Sequence, residues 1–313
     1  MKQQSKREPG PSSPLIKRAW SYKYIYLMML PGLIYFLLFH YVPMLGTGIA
    51  FREFSFKNPF FGGEFVGLKY FRKLFSSHNF SVVLRNTIII SFGRLVFEFP
   101  LAVALALLFN EVRGKRPKRF LQTVYSFPHF LSWVVAAGII TNLLSDSGVV
   151  NQLVVALGGD KVSFLTQPGL FRPLLHITNN WKEIGWGTIV YLATITSIDS
   201  QQYEAAIVDG ANRWHQIRYI TLPSLVPIIC TMLLLQVANV MSAGFDQIFN
   251  MYNSTVYSTG DIIDTYIYRM TFVIGESFSS SIALGLFKSV INLVLLTTAN
   301  WLVKRFDKDA GIF

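Results

Sequence analysis

Six stretches of predominantly apolar residues recur along the chain: roughly Tyr24–Ala50, Thr87–Phe109, Phe120–Leu144, Leu174–Thr196, Leu225–Gly244 and Ile282–Val303. Each approaches the ~20 residues that a helix needs to cross the hydrocarbon core of a bilayer. A large soluble core would show shorter, amphipathic segments instead. The pattern therefore predicts an all-α polytopic membrane protein with six transmembrane helices.

An even number of spans puts both termini on one side. With the N-terminus inside, the cytoplasmic segments carry sixteen Lys and Arg against nine in the outer loops, the bias expected of such loops. The exception is the first outer loop, Phe51–Asn86, which holds six of the nine and is long enough to fold on the outer surface and satisfy them locally. Residues 1–18 are rich in Lys, Ser and Pro, lack apolar periodicity, and read as a mobile cytoplasmic tail. No small-residue cleavage site accompanies the first apolar run, which reads as a retained span. The expected organisation is a cytoplasmic tail (1–23), a transmembrane domain (24–303) containing a cytoplasmic loop (197–223), and a second cytoplasmic tail (304–313).

Composition points the same way: 52% of the residues are hydrophobic and 14% charged, whereas about a quarter are charged in an ordinary soluble domain. A formal charge of +11 would suggest nucleic acid in a soluble chain; here it is distributed along the membrane flanks, and no nucleic-acid partner is expected. The single cysteine, Cys230, excludes an intrachain disulfide framework and a Cys-based metal site. His40, His78, His129, His176 and His215 have no metal-ligand spacing, and no catalytic or metal-binding set is assigned.

The most informative segment lies between the fourth and fifth spans, from Glu204 to Pro223. Asp199 can cap a short helix, with Gln202 completing a capping box, and Gly210 supplies the left-handed position that ends it. Asn212 can cap a second short helix that runs toward Leu222 and stops at Pro223, which has no N–H to donate. Ala205 and Ala206 leave little bulk on the first helix, while Trp214, Ile217 and Tyr219 put apolar area on the second. Such a surface suits a groove in another protein; the alternative is a compact loop packed back on the span ends.

Glu204-Ala205-Ala206, three residues, Gly210, nine residues, Ile220, one residue, Leu222-Pro223 fills every fixed position of a pattern that resembles the signature loop of binding-protein-dependent ABC importer permeases. Other segments are similar to the carbohydrate-type members, in particular those of complex-oligosaccharide systems. They are Leu30-Pro31-Gly32, Val66-Gly67-Leu68-Lys69-Tyr70-Phe71, the run Phe127 to Trp133, the run Trp181 to Trp186, and Gly244-Phe245-Asp246-Gln247-Ile248-Phe249. The resemblance implies a coupling helix between the fourth and fifth spans, with Glu204, Ala205, Ala206, Asp209, Gly210, Ala211, Leu222 and Pro223 meeting a separate ATPase. It implies a second homologous permease, two ATPase subunits that bind ATP and Mg, and an extracellular solute-binding protein, all at a bacterial plasma membrane. It also implies a chain that is not itself an enzyme and carries no cofactor; no Gly-x-x-x-x-Gly-Lys-Ser/Thr phosphate loop occurs in it.

For a sugar or oligosaccharide cargo, aromatic faces cover C–H surfaces while amides and carboxylates satisfy hydroxyls. Trp133, Gln236, Asn239, Phe245, Asp246 and Lys288 are the candidates for the substrate path. Trp181 and Trp186 meet the same chemistry but also fit an interfacial aromatic belt. Gln236 and Asn239, three apart, share a helix face that either lines a cavity or bonds a neighbouring helix. Arg94 has Glu98 at i+4, a spacing for mutual neutralisation or for substrate contact. Lys288 lacks a sequence-local acid, so a cavity or a partner across a dimer is expected, and a basic cavity residue suits an acidic sugar. The same machine for a sugar phosphate or another small solute is one alternative. A membrane transferase using the outer acids Asp246, Asp261, Asp264 and Glu276 is the other.

Overall fold

A computed structural model describes Trp20, residues 22–58, 61–275 and 277–306, and Gly311. Most of the two expected tails, and Glu276, fall outside the described residues. The chain forms two compact units, the first ending at Tyr70 and the second beginning at Phe71. Both are helical; among the described residues the β structure is one isolated bridge, Arg52 to Phe65.

In the first unit, helix α1 (Lys23–Phe51) leaves its apolar side chains exposed around its circumference, the surface of a helix whose solvent is lipid or another protein. Beyond it Glu53 N–H donates to the Glu64 carbonyl at 3.0 Å, and Lys69 Nζ lies 2.7 Å from Glu53 Oε1. That hydrogen bond and the carboxylate charge raise the Lys69 ammonium above its ordinary pKa.

The second unit is built on α2 (His78–Glu111), α3 (Lys115–Ser126), α4 (Trp133–Leu144), α5 (Val149–Ala156), α6 (Pro168–Ser197), α7 (Ser200–Val208), α8 (Arg213–Ala238), α9 (Phe245–Met251), α10 (Ile263–Tyr268) and α11 (Phe278–Phe306). Five stretches are long and apolar enough to cross a membrane: α1, α2, Trp133–Ala156, α8 and α11. Helix α6, at 30 residues, matches them in length but carries Arg172, Lys182, Glu183 and a run of amides.

Proline is accommodated in a recurrent way. Leu37–Tyr41, Arg94–Glu98 and Ile217–Thr221 are each a π-helical turn, followed two residues later by Pro43, Pro100 and Pro223. A proline inside a regular helix lacks a donor and clashes with the carbonyl four residues back; the wider turn re-routes bonding to i−5, as where Leu222 N–H bonds the Ile217 carbonyl. For this reason the second helix of the pair capped by Asp199 and Asn212 does not stop at Pro223, as its lack of an N–H suggested, but continues to Ala238.

Two other apolar runs are discontinuous. The third breaks between α3 and α4, where Pro128 begins a 3-10 turn and Ser132 Oγ restarts the helix by accepting from Val135 N–H at 3.3 Å. The fifth ends at Ala238 rather than Gly244: Val240–Ser242 is a 3-10 turn, and Ala243 and Gly244 are left-handed, with φ of 46° and 78°. Asn239 therefore caps α8 instead of extending its polar face. One core cluster holds this break, with Ile90, Phe171, Leu175, Ala243 and Ile248 all buried; a second, of Val103, Phe109, Tyr191, Ile195 and Leu225, joins α2, α6 and α8.

Candidate functional site

The helix pair at the end of α6 forms as its local chemistry requires. Asp199 caps α7 by accepting from Gln201 N–H at 3.0 Å, but the expected capping box does not form: Gln202 donates its backbone N–H to the Asp199 carbonyl at 3.2 Å instead. At the other end Gly210, with φ of 81°, donates to Ile207 O at 3.0 Å and Ala211 donates to Ala206 O at 2.8 Å, which is the paired bonding of a Schellman terminus. Asn212 Oδ1 then caps α8 by accepting from His215 N–H at 2.9 Å. Glu204, Ala205, Asp209 and Gly210 are exposed, Ala206, Ala211 and Leu222 half-buried, and Pro223 exposed. Ile207, Val208, Trp214 and Tyr219 are exposed apolar side chains beside them.

The broken helix opens a cavity of about 650 Å³. Five of the six expected path residues line it: Trp133, Gln236, Asn239, Phe245 and Asp246. Ser91, Arg94, Asp264, Tyr268 and Phe272 complete the wall. Gln236 and Asn239 also line a neighbouring cavity of about 380 Å³ that holds Trp186, and Trp133 and Asp246 line a third of about 510 Å³ with Lys182 and Glu183. Aromatic faces thus alternate with amides and carboxylates along one connected set of residues.

The walls are held by ionic and amide networks. Lys288 finds its acid 24 positions away: both Asp264 oxygens lie 2.7 Å from Nζ, which also donates to Ser242 Oγ at 3.1 Å. Lys288 is therefore paired within its own chain, and Asp264, not Lys288, reaches the cavity wall. Lys182 donates to Glu183 at 2.8 Å and to the His129 carbonyl at 3.0 Å, beneath the Trp133 ring. Glu183 also meets His129 Nδ1 at 2.6 Å, and the imidazole stacks on Trp186 at 4.5 Å. Trp181 lies apart, in a shallow groove with Val124 and Pro128.

Arg94 and Glu98 do not touch as an i, i+4 pair. Arg94 donates from Nη1 to Asn179 Oδ1 at 3.2 Å and from Nη2 to Gln247 Oε1. Asn179 in turn donates to Glu98, whose other oxygen is 2.8 Å from His176 Nδ1. The guanidinium occupies the notch at Gly244, where a Cβ would overlap it. The break in the fifth run is held by Ser91, whose hydroxyl donates to the Val240 carbonyl, and by Asn292, which accepts from Met241 N–H at 3.3 Å.

Of the four acids weighed for a transferase, Asp246 and Asp264 both line the large cavity, while Asp261 lines another. Asp261 pairs with Arg269 at 2.5 Å, and the guanidinium lies 4.2 Å over the Tyr257 ring. Partial burial lowers the Arg269 pKa, but the hydrogen bonds and charge of Asp261 outweigh it and hold the group above its ordinary value.

Sequence reasoning missed Ser91, Asn179, Ser242, Asp264 and Tyr268 as members of this site. Gln247 lay within a quoted segment, with nothing local to single it out.

The protein family described as binding-protein-dependent transport system inner membrane component matches residues 98–308. Protein LplB of Bacillus subtilis (strain 168) is 43% identical over 292 residues, covering 93% of this chain and 91% of the relative. The polygalacturonan/rhamnogalacturonan transport system permease protein YteP of the same strain is 44% identical over 292 residues, covering 93% and 90%. A solved bacterial ABC transporter involved in the import of the acidic polysaccharide alginate contains a chain that matches with a TM-score of 0.86 at 41% identity, covering 94% of this chain and 99% of that one. With matches of this length and identity, the chain belongs to the inner membrane components of binding-protein-dependent transport systems.

Proposed function

We propose that this chain is one permease subunit of a carbohydrate importer driven by ATP, and that the connected cavities form its half of the path for a sugar or oligosaccharide. The observation that carries the reading is the wall of the 650 Å³ cavity. Trp133, Phe245 and Tyr268 offer faces to sugar C–H surfaces, and Gln236, Asn239 and Asp246 offer hydrogen bonds to hydroxyls. The names of the relatives, a polygalacturonan/rhamnogalacturonan permease and an alginate importer, support a saccharide cargo.

In this reading α6 is the sixth span, both termini are cytoplasmic, and residues 24–303 form the transmembrane domain between two tails. Helix α7 and the turn at Gly210 are the coupling element, with Glu204, Ala205, Ala206, Asp209, Gly210, Ala211, Leu222 and Pro223 against a separate ATPase. The exposed apolar side chains beside that turn support docking over a loop packed on its own chain. A second permease and two ATPases that hold ATP and Mg complete the machine, and an extracellular solute-binding protein delivers the sugar; a related alginate transporter was solved with its periplasmic protein. The chain performs no chemistry itself. Of the acids that a transferase would use, Asp261 and Asp264 are taken up in pairs with Arg269 and Lys288.

The test is mass spectrometry of proteins that co-purify with the tagged chain from gently solubilised native membranes, for wild type and for Glu204→Lys with Gly210→Asp. Recovery of a second permease and an ATPase, the ATPase being lost from the variant, is the expected result. Recovery of the chain alone in both preparations rejects the subunit reading.

A further inference from the structure

The cations around the cavities differ in one respect. Lys182 is paired with Glu183 and Lys288 with Asp264, each at ion-pair distance. Arg94, which lines the large cavity, is held by two neutral amides, Asn179 and Gln247, and among the described residues no carboxylate forms an ion pair with it. Its Nε finds no hydrogen-bond partner at all. A guanidinium has five donors in a planar fork and no acceptor, so most of its bonding capacity is unused.

A cation with no carboxylate in direct contact is disfavoured at membrane depth and marks a place where charge is used. Here it is also preorganised. The amides fix two of its nitrogens, the left-handed Gly244 opens the notch that holds its plane, and Glu98 lies one amide away, through Asn179. Glu98 moderates the charge without occupying the fork, because its own oxygens are taken by Asn179 and His176. Across the same cavity Asp246 is an exposed carboxylate suited to accept hydroxyl protons.

The geometry points to Arg94 as the residue that receives a carboxylate of the cargo, so that the cavity selects saccharides built from uronic acids. Such a sugar supplies a carboxylate for the N–H donors that the two amides leave free on Nη1 and Nη2 of Arg94, and hydroxyl donors for Asp246. A neutral sugar satisfies Asp246 but offers Arg94 only hydroxyl acceptors, whose bonds are weaker than the charge-assisted ones of a carboxylate. The inference rests on the saccharide reading above.

The experiment is uptake, by cells of origin whose chromosomal copy is replaced by wild type, Arg94→Gln or Arg94→Lys, from an equimolar mixture. The mixture contains oligogalacturonates and oligomannuronates of two to five sugars and their carboxyl-reduced neutral counterparts, and accumulated species are counted by mass spectrometry. Wild type is expected to favour acidic over reduced forms by about tenfold or more, equivalent to ~1.4 kcal/mol. Arg94→Gln is expected to abolish that ratio, and Arg94→Lys, which keeps the charge, to retain part of it. Immunoblots of membranes verify insertion, and if Arg94→Gln does not insert, the wild-type ratio and its reduction in Arg94→Lys decide. Wild-type preference for the reduced forms, or an unchanged ratio in Arg94→Gln, overturns the assignment of Arg94 while leaving a saccharide importer. Accumulation of neither class by wild type overturns the saccharide reading and this inference with it.

Discussion

Removing the ammonium of Lys288 strands the Asp264 carboxylate in the cavity wall. In the native chain Nζ is 2.7 Å from both carboxylate oxygens, and the two side chains keep only 17% and 20% of their exposure. Breaking a buried pair costs about 3–5 kcal/mol, whereas a solvent-exposed pair is worth about 0–1. The partial exposure onto a polar cavity places this pair between those limits, nearer the buried one, so Lys288→Met is expected to lose ~2–4 kcal/mol. Asp264→Leu alone strands the ammonium and is expected to cost a similar ~2–4 kcal/mol, whereas Lys288→Met with Asp264→Leu removes the unpaired charge and is expected to lose no more than ~1 kcal/mol, a coupling of ~3 kcal/mol or more. Reversible unfolding of the purified chain in mixed lipid–detergent micelles, titrated with a denaturing detergent and followed by tryptophan fluorescence, measures all four corners of the cycle. A single variant within ~0.5 kcal/mol of wild type, or single costs that add in the double variant, refutes the ion pair as the tie between α10 and α11.

Three further outcomes are expected. Gly244→Ala meets both a left-handed backbone, costing about 1–2 kcal/mol, and the Arg94 guanidinium; its cost by the same unfolding assay is expected to fall when Arg94→Gln empties the notch. Gly210→Ala has open space around its Cβ and should lose only the ~1–2 kcal/mol of left-handed strain, read as faster amide exchange at Gly210 and Ala211 with no change at α2. Ser132→Ala removes the cap of α4 and should cost ~1 kcal/mol, with faster exchange at Val135.

Long apolar helices such as α2 and α11 were legible because hydropathy is a local property: a run such as Ile282–Val303 announces itself without knowledge of its neighbours. The caps of α7 and α8 were legible for the same reason, since Asp199 and Asn212 bond residues two and three positions away. Pro223 misled because its own chemistry forbids a regular helical bond, while the π turn that avoids the difficulty is spread over the five preceding residues. Asp264 was invisible as the partner of Lys288 because 24 residues and the start of another helix separate them. Asn179 was invisible between Arg94 and Glu98 because nothing in an i, i+4 spacing records a second helix.

The broken fifth run shows where local reasoning reaches its limit and why the site lies there. An unbroken helix satisfies its own backbone and presents only side chains, whereas Asn239–Gly244 needs outside partners for groups freed by the break. Ser91 supplies one from α2, and Asn292 another from α11; Lys288, also from α11, binds the Ser242 hydroxyl. Those contacts fix a turn whose residues Asn239 to Gly244 border the large cavity, and the left-handed Gly244 makes room for Arg94 in its wall. The shape of the cavity is thus set by α2 and α11 as much as by the helix that is broken. A substitution at Ser91 or Asn292 should therefore act on transport through the position of the turn, even where its side chain meets no cargo.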